Sequence, residues 1–288
     1  MSGDGVFRYC YHLALVSGGA NYVDTAGFYP SQSGNEELGW ESTWANNIAL
    51  RLGFLDRINF SVEAYYKRTS NMLMRVPESY TVTGEGYRWK NVGVMENKGL
   101  ELSADGDIIR TRDFTWNVSA NVSYNRNRLK ELYNGVTEYV NSTTGLKYVV
   151  DHSVSEFYMN RYAGVNPANG EQLWYDKYGN VTNVFRESDK VMTGKTYDAP
   201  WMGGFGTSVR WKGLQLSVQF SWIGERYVIN NDRYFEESGI TFGTAYNQSN
   251  RLLYDRWKQP GDITDIPRWG EVIQLDDRFL ENASFLRL

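Results

Sequence analysis

Residues 114–125 read FTWNVSANVSYN, a stretch in which apolar and polar side chains alternate at every position. The apolar set occupies the even positions: Phe114, Trp116, Val118, Ala120, Val122 and Tyr124. The polar set occupies the odd positions: Thr115, Asn117, Ser119, Asn121, Ser123 and Asn125. A period of two places successive side chains on opposite faces of a β-strand. The stretch therefore predicts a strand with one apolar face and one polar face.

The same alternation, less perfect elsewhere, predicts further strands along the chain. They are expected near residues 41–54, 58–72, 92–110, 114–126, 202–212, 214–224 and 279–288. Three connections are tight and predict hairpin turns: 55–57, 111–113 and 212–213. The other connections are long: 74–90, 128–200 and 224–278. Because short and long links alternate, antiparallel strands would have their tight turns at one end and their long loops at the other.

Composition excludes several classes of protein. The chain has 288 residues, a net charge of −4 and 15% aromatic residues, too aromatic and too weakly charged for a disordered chain. The charge balance gives no basic footprint for nucleic acid. No apolar run reaches the roughly 18 residues of a membrane-spanning helix. With Cys10 as the single cysteine, an internal disulfide framework is excluded.

Alternating strands fit two architectures. In a soluble β-sandwich the apolar faces would pack on each other and the polar faces would meet water. In an outer-membrane barrel the apolar faces would meet lipid and the polar faces an aqueous interior. Alternation alone does not separate the two.

Three features favour the barrel. Strands such as 41–54 are longer than the about 5–6 residues usual in globular proteins and match the about 9–11 of a membrane strand. Aromatic residues stand at both ends of the apolar faces, as in interfacial girdles: Trp44 and Phe54, Phe114 and Tyr124, Trp211 and Trp222. Long structureless loops are uncommon in compact soluble domains. The predicted fold class is all-β: an antiparallel transmembrane β-barrel with long extracellular loops. The alternative is a soluble all-β glycan-binding or adhesin module.

Six separate stretches, in order along the chain, resemble one family of proteins. They are PSQSGNEELGWE at 30–41, NVGVMENKGLEL at 91–102, GVNPANG at 164–170, GGFG at 203–206 with KGL at 212–214, RWKQPGD at 256–262 and ASFLRL at 283–288. The chain resembles the C-terminal barrel part of a TonB-dependent outer-membrane transporter of the SusC/RagA type. The resemblance runs from about residue 15 to the end of the sequence.

The resemblance implies a fold, a location and partners. Members of the family have a 22-stranded barrel around a plug, so this chain is expected to hold a partial barrel of about seven or eight strands. Residues 1–39 would form a strand tail and an extracellular loop, and residues 40–288 the partial barrel. The implied function is uptake of a large nutrient, a glycan or peptide, across the Gram-negative outer membrane. The implied partners are outer-membrane lipid, a SusD-like lipoprotein and, only through the plug missing from this sequence, the TonB complex.

Candidate site residues fall into two sets, and neither is catalytic. Loop aromatics are candidates for binding substrate or partner: Trp174, Tyr175, Trp201, Tyr234, Trp257 and Trp269. Charged residues with polar-face parity are expected to face the lumen: Arg51, Glu63, Glu101, Asp105 and Arg210. His12 and His152 lack metal-ligand spacing, and the adjacent Asp151, His152 and Ser153 do not by adjacency make a triad. The sequence predicts no enzyme, no metal site and no cofactor.

Overall fold

The structure is a computed structural model that describes most of the chain. The described residues are 15–22, 25–32, 34–79, 86–140, 146–238 and 247–288. The chain divides into two compact units, one of residues 1–154 with 209–214 and one of residues 155–208 with 215–288. None of the helices in the described part of the chain is long and apolar enough to cross a membrane.

In its described residues, the first unit consists of β-strands and one short 3₁₀ turn. Its strands are β1 (Leu15–Tyr22), β2 (Thr25–Gln32), β3 (Ser42–Phe54), β4 (Ile58–Ser70), β5 (Leu73–Pro77), β6 (Tyr87–Asn91), β7 (Val94–Arg110), β8 (Phe114–Glu131), β9 (Glu138–Val140) and β10 (Lys147–Val149). The 3₁₀ turn spans Tyr133–Gly135. Strands β1 and β2 pair with each other, as do β5 with β6 and β9 with β10.

The described part of the second unit holds short strands, two short helices and most of one long strand hairpin, whose turn at 209–214 belongs to the first unit. Its strands are β11 (Glu156–Met159), β12 (Arg161–Val165), β13 (Gln172–Tyr175), β14 (Val181–Thr182), β15 (Val191–Thr196), β16 (Trp201–Trp211), β17 (Leu214–Gly224), β18 (Tyr227–Ile229), β19 (Leu280–Asn282) and β20 (Phe285–Arg287). Helix α1 spans Asn231–Glu237 and helix α2 spans Arg251–Tyr254. Two further 3₁₀ turns span Glu187–Asp189 and Asp277–Phe279.

Four long strands of the first unit form an antiparallel ladder in the order β3, β4, β7, β8. The β3–β4 and β4–β7 pairs run without a register shift over their whole length. The β7–β8 pair shifts register near each end, between Val94 and Met95 and between Asp107 and Ile109. Since side chains alternate with a period of two, an unshifted register keeps all apolar residues of neighbouring strands on one face.

The tight turns have the backbone that short hairpins need. Leu55 and Asp56 adopt φ values of 55° and 52°, and the Arg57 amide donates to the Phe54 carbonyl at 3.0 Å. Between β16 and β17, Lys212 and Gly213 both have positive φ, 47° and 100°. Two consecutive residues with positive φ make a turn whose twist matches the strands that it joins. All three tight turns predicted from the sequence are present.

Among the described residues, no second layer covers either face of the long ladder. All thirteen residues of β3 are exposed. No residue of the stretches 58–68, 97–105 or 114–128 is buried. Val118 and Val122 are half-buried only, as are Val218 and Phe220 on β17. A β-sandwich would bury one face of these strands, so the structure confirms the all-β antiparallel fold class and does not fit the sandwich.

Element bounds differ from the sequence predictions in a few places. β8 runs to Glu131 rather than residue 126, and β7 begins at Val94 rather than residue 92. The last predicted strand, 279–288, is divided into the end of a 3₁₀ turn, β19 and β20, because Asn282 accepts from the Ser284 amide in a tight bend. The predicted division at residues 39 and 40 stays a prediction, and residues 1–14 lie outside the described residues.

The long connections were expected to be loops, and the structure gives them secondary structure of their own. The 74–90 connection contains most of the β5–β6 hairpin. The 128–200 connection contains short paired strands from β9 to β15. Buried residues concentrate in these segments and next to them, where Met74, Leu129 and Leu132 form a small apolar core. The loop segments therefore build compact structure at the ends of strands that bury almost nothing along their length.

A buried ion pair organises the second unit. Asp276 is fully buried, and the Arg278 guanidinium donates to both of its carboxylate oxygens at 2.9 Å. The indole nitrogen of Trp174 on β13 donates to Asp276 Oδ2 at 2.7 Å. The Tyr162 ring lies against the Arg278 guanidinium at 3.9 Å. Residues far apart in sequence thus satisfy one buried carboxylate.

We predict that Trp174→Phe destabilises the protein by at least about 2 kcal/mol, because a hydrogen bond to a buried charged group is lost and the smaller ring leaves part of its site empty. Equilibrium urea unfolding followed by circular dichroism measures the change. The matched control is Trp269→Phe, since Trp269 is 65% exposed and its change should stay within about 0.5 kcal/mol. Equal effects of the two substitutions would contradict the structural role of Trp174.

Candidate functional site

One face of the four-stranded ladder is a continuous apolar band. Register places Leu50 opposite Val62, Val62 opposite Leu102, and Leu102 opposite Val122. The rows on either side consist of large apolar or aromatic residues and alanine. One row is Leu52, Phe60, Ala104 and Ala120, and the other is Ile48, Ala64, Leu100 and Tyr124. The band is exposed at many positions, among them Ile48 at 77% and Leu50 at 56%. In water this surface would be strongly unfavourable.

Aromatic rings mark the margins of the band. Trp44 and Phe54 stand at its two ends on β3, and Trp44 meets the Tyr66 ring of β4 edge-on at 5.9 Å. At about 3.4 Å per residue, Trp44 and Phe54 lie about 34 Å apart along the strand, which a tilt of about 40° projects to about 26 Å. That height matches the roughly 25 Å apolar band of outer-membrane barrels.

Beyond the aromatic margin at the long-loop end, the same face becomes charged. Arg68 lies opposite Glu96, and Lys98 lies opposite Arg126. Sequence analysis did not single out these residues. The sequence could have indicated them, because these charged residues have even numbers like the apolar residues of the same strands and follow Tyr66 and Tyr124 on the same face.

The opposite face of the ladder is polar and hydrogen-bonded between strands. The Asn59 amide donates to Asp105 at 3.1 Å, and the Ser103 hydroxyl donates to Ser61 at 3.2 Å. Further along, Asn127 donates to Asn97 at 3.0 Å. These side-chain ladders leave the face wettable while linking neighbouring strands.

The residues predicted to face the lumen lie on this polar face. Glu63 lies directly opposite Glu101, and Arg51 lies opposite Ser61, whose neighbouring position on β7 is Ser103. The Arg210 guanidinium on β16 donates to the Thr115 hydroxyl of β8 at 3.5 Å. Arg210 therefore lies on the same face as the odd-numbered polar residues of β8. In the described part of the chain Arg51, Glu63 and Glu101 have no hydrogen bond or ion pair. Their charges are therefore available to water or to a solute.

A glycine lets one large ring lie flat on the polar face. The Tyr65 ring crosses Gly99, where an added Cβ would stand 2.1 Å from the ring. The Tyr65 hydroxyl continues past β7 and donates to Asn125 on β8 at 3.0 Å. Only glycine at position 99 permits this approach.

The predicted loop aromatics divide into structural and accessible residues. Trp174 is 5% exposed with its indole N–H engaged, so the structure gives it a packing role, and substrate or partner binding by Trp174 stays a prediction. Trp257 donates to the Pro167 carbonyl at 3.0 Å and packs over Gly170. Tyr234 on α1 meets the Phe279 ring at 5.3 Å. These three rings hold the second unit together.

The remaining three candidates keep accessible surface. Tyr175 on β13 is half-buried and lies 5.3 Å from the Arg161 guanidinium. Trp201 is 39% exposed and, contrary to the prediction of a loop residue, is the first residue of β16. Trp269 is exposed in a loop beside the Arg256 guanidinium at 4.8 Å. Sequence reasoning missed Tyr254, which is 70% exposed at the end of α2.

A network of ion pairs fixes the segment that carries Tyr254 and Trp269. Arg251 of α2 binds both oxygens of Asp265 at 2.8 Å and also contacts Glu237 of α1. Arg233 contacts Asp265 at 3.1 Å and Glu237 at 3.0 Å. Burial by itself would raise the pKa of Asp265, but its hydrogen bond to Arg251 and the two guanidinium charges outweigh burial and lower it. The carboxylate is therefore ionised under ordinary conditions.

Comparison with known proteins gives a family and several relatives. Residues 14–261 match the family described as TonB dependent receptor-like, beta-barrel. The TonB-dependent receptor P39 of Formosa agariphila is 27% identical over 96% of this chain and 31% of its own length. The TonB-dependent receptor SusC of Bacteroides thetaiotaomicron is 28% identical over 88% of this chain and 26% of its own length.

Solved structures agree with the sequence relatives. A structure of the RagAB peptide transporter superposes with a TM-score of 0.82 and 36% identity, covering 96% of this chain and 31% of that chain. This chain thus spans about a third or less of the relatives that it matches. The resemblance to SusC/RagA-type proteins is confirmed. The chain belongs to the TonB-dependent receptor family, within the β-barrel part of that fold.

Proposed function

We propose that this chain forms part of the barrel wall of a nutrient importer in the outer membrane of a Gram-negative bacterium. The single observation that carries the proposal is the two-faced ladder β3, β4, β7, β8. One face is an apolar band bracketed by aromatic rings, and the other is polar. Such a wall is stable where hydrocarbon meets one face and water the other.

The relatives support import as the activity. They include SusC and the RagAB peptide transporter, and this chain covers about a third of the latter. A large polar nutrient, a peptide or a glycan, is the substrate class that we infer. The polar face suits a polar substrate, since it carries charged side chains for which the described residues supply no ion-pair partner. They are Arg51, Glu63, Glu101, Asp105 and Arg210.

A SusD-like surface lipoprotein is the proposed partner at the long-loop end. Several large apolar side chains of the second unit stand exposed in the segment after α1: Leu253, Tyr254, Ile263, Trp269 and Val272. Exposed apolar residues grouped in one segment are typical of a protein-binding surface. Contact with the TonB complex would be made through a plug domain rather than through the residues described here.

The alternative of a soluble glycan-binding or adhesin module does not account for the apolar band. In such a module a second layer would cover Leu50, Val62 and their neighbours, whereas these positions are open among the described residues. The exposed loop aromatics are compatible with either function and so do not discriminate. The band therefore supports the proposal of a membrane protein.

The orientation of the two faces predicts a contrast between neighbouring substitutions on β8. Val118 lies on the apolar face near the midpoint between Phe114 and Tyr124. We expect Val118→Arg to reduce folding stability in lipid by about 2–4 kcal/mol, the cost of arginine near the bilayer centre. Urea titration of the protein folded into liposomes measures the loss.

The control for Val118→Arg is Ser119→Arg, one residue along and on the opposite face. Because that face is expected to be wet, the second arginine should change stability by less than about 0.5 kcal/mol. If the two substitutions cost the same, the apolar face does not meet lipid and the proposed location is wrong.

The exposed segment after α1 predicts where a lipoprotein partner binds. Ile263 is 93% exposed, and Ile263→Asp should reduce co-purification with a SusD-like lipoprotein from the same organism at least tenfold, because a charge replaces an apolar contact. Quantitative pull-down from detergent-solubilised membranes measures this. Tyr178→Ala serves as control, since Tyr178 is 78% exposed at the β13–β14 turn outside the segment. Unchanged recovery with Ile263→Asp would place the partner elsewhere.

A further inference from the structure

A group of basic side chains lies on the lipid-side face just beyond the aromatic margin. Lys98 comes from β7, and Arg126, Arg128 and Lys130 come from β8; we call these four residues the basic cluster. With Glu96 and Asp151 they line an open cavity of about 240 Å³. Arg68 of β4 joins the group through its ion pair with Glu96 at 3.1 Å. With Arg68 beside the basic cluster, the charged group extends over three neighbouring strands.

The height of the cluster relative to the apolar band is fixed by the strand. Ser119 is the midpoint between Phe114 and Tyr124 on β8. From Ser119 to Arg126 the strand advances about 24 Å, which a tilt of about 40° projects to about 18 Å above the bilayer centre. The apolar band ends about 13 Å from that centre. Arg126 thus stands at the level of lipid head groups.

The carboxylates at the site are already engaged. Glu96 receives the Tyr66 hydroxyl at 2.7 Å, Arg68 at 3.1 Å and the Lys98 ammonium at 3.4 Å. Asp151 pairs with Lys130, and its carbonyl accepts from Arg128 at 2.6 Å. Four cations thus line the cavity against two anions.

Positive charge is left without a partner in the cavity. Arg126 is exposed, and no described residue pairs with it. The Nε–H of Arg128 is buried and has no hydrogen-bond acceptor among the described residues. A buried donor without an acceptor is unfavourable, so an acceptor at this point would be stabilising.

We propose that the basic cluster binds the phosphate group of an anionic lipid head group in the outer leaflet. The proposal rests on the membrane placement proposed above. Two arginines on one strand face, with Lys98 and Lys130 beside them, present the planar and point-charge donors that phosphate oxygens accept. The acyl chains of the same lipid would continue along the apolar band below.

Continuity with the band favours a lipid over a soluble anion. Lys98 lies two positions beyond Leu100 and also sits over the Tyr66 ring at 5.2 Å. A lipid bound there can fill the cavity and cover Leu100 and Tyr124 at once, whereas a free anion would use the cations alone. Basic clusters next to an apolar surface are the usual sequence-readable form of anionic lipid recognition.

The test compares lipid binding by the wild-type protein, purified from outer membranes in detergent, with binding by Arg126→Gln. Bisphosphorylated lipid A is the probe, and native mass spectrometry across a lipid titration gives the affinity. Arg126→Gln should weaken binding about tenfold, the loss of one charge-assisted contact. Because Arg126 has no described protein partner, this substitution breaks no internal ion pair.

Two controls separate the outcomes. Lys67→Gln removes a cation on the opposite face, in the row of Asn97 and next to the row of Lys98, and it should leave lipid A affinity unchanged. A lipid with the same acyl chains but no phosphate should bind weakly and equally to wild type and Arg126→Gln. Equal lipid A affinity in wild type and Arg126→Gln would overturn the proposal, as would full competition by millimolar inorganic phosphate, which would indicate a soluble-anion site.

This result is distinguishable from a failure of the proposed function. If Val118→Arg and Ser119→Arg destabilise equally, the membrane placement itself fails. If that contrast holds and Arg126→Gln has no effect on lipid A binding, only the lipid site fails. If the wild-type protein binds lipid A normally but cells that carry it take up no nutrient through it, the proposed import activity fails.

Discussion

The in-register pairing of β3, β4, β7 and β8 is the constraint on which the rest depends. Each strand alone offers two faces, and only the hydrogen-bond register decides which faces of neighbouring strands combine. Because β3–β4 and β4–β7 pair without a shift, each even-numbered residue from Ile48 to Phe54 continues into an apolar or small residue on the next two strands. A slip of one residue would mix the charges of Glu63 and Glu101 into the apolar band.

The segments at the long-loop ends are stabilised by different interactions from those that stabilise the strands. Along the ladder almost nothing is buried, and stability there depends on backbone hydrogen bonds and the surrounding solvent. In the loop segments, stability comes from conventional burial and from polar networks such as Arg278 with Asp276. The loops are thus ordered by their own packing and present exposed residues such as Ile263 and Trp269 on a fixed support.

Much of the ladder could be predicted from the sequence, because alternation reports the face of each residue directly. The parity of Arg51, Glu63, Glu101 and Asp105 placed them together on the polar face, where the structure has them. The bulge at Asp107–Ile109 was not predictable, since it pairs Ile109 rather than Ile108 with Trp116 and so changes the parity at the strand end.

The loop segments were predicted poorly for a definite reason. Trp174 looked like an accessible ring because its acceptor, Asp276, lies 102 residues away in sequence. No local pattern reports such a pairing. The same holds for Arg128 and Asp151, whose contact over a long loop helps to define the basic cluster. Contacts of this range depend on tertiary structure, which periodicity does not encode.

The Tyr65 ring on Gly99 has a consequence for the dimensions of the wall. Lying flat across β7, the ring adds one layer of thickness to the polar side instead of projecting at full side-chain length. A methyl group at position 99 would displace the phenol outward from β7 and so disturb its bond to Asn125. A single hydrogen atom in place of a side chain thus sets how far the polar face projects at that point.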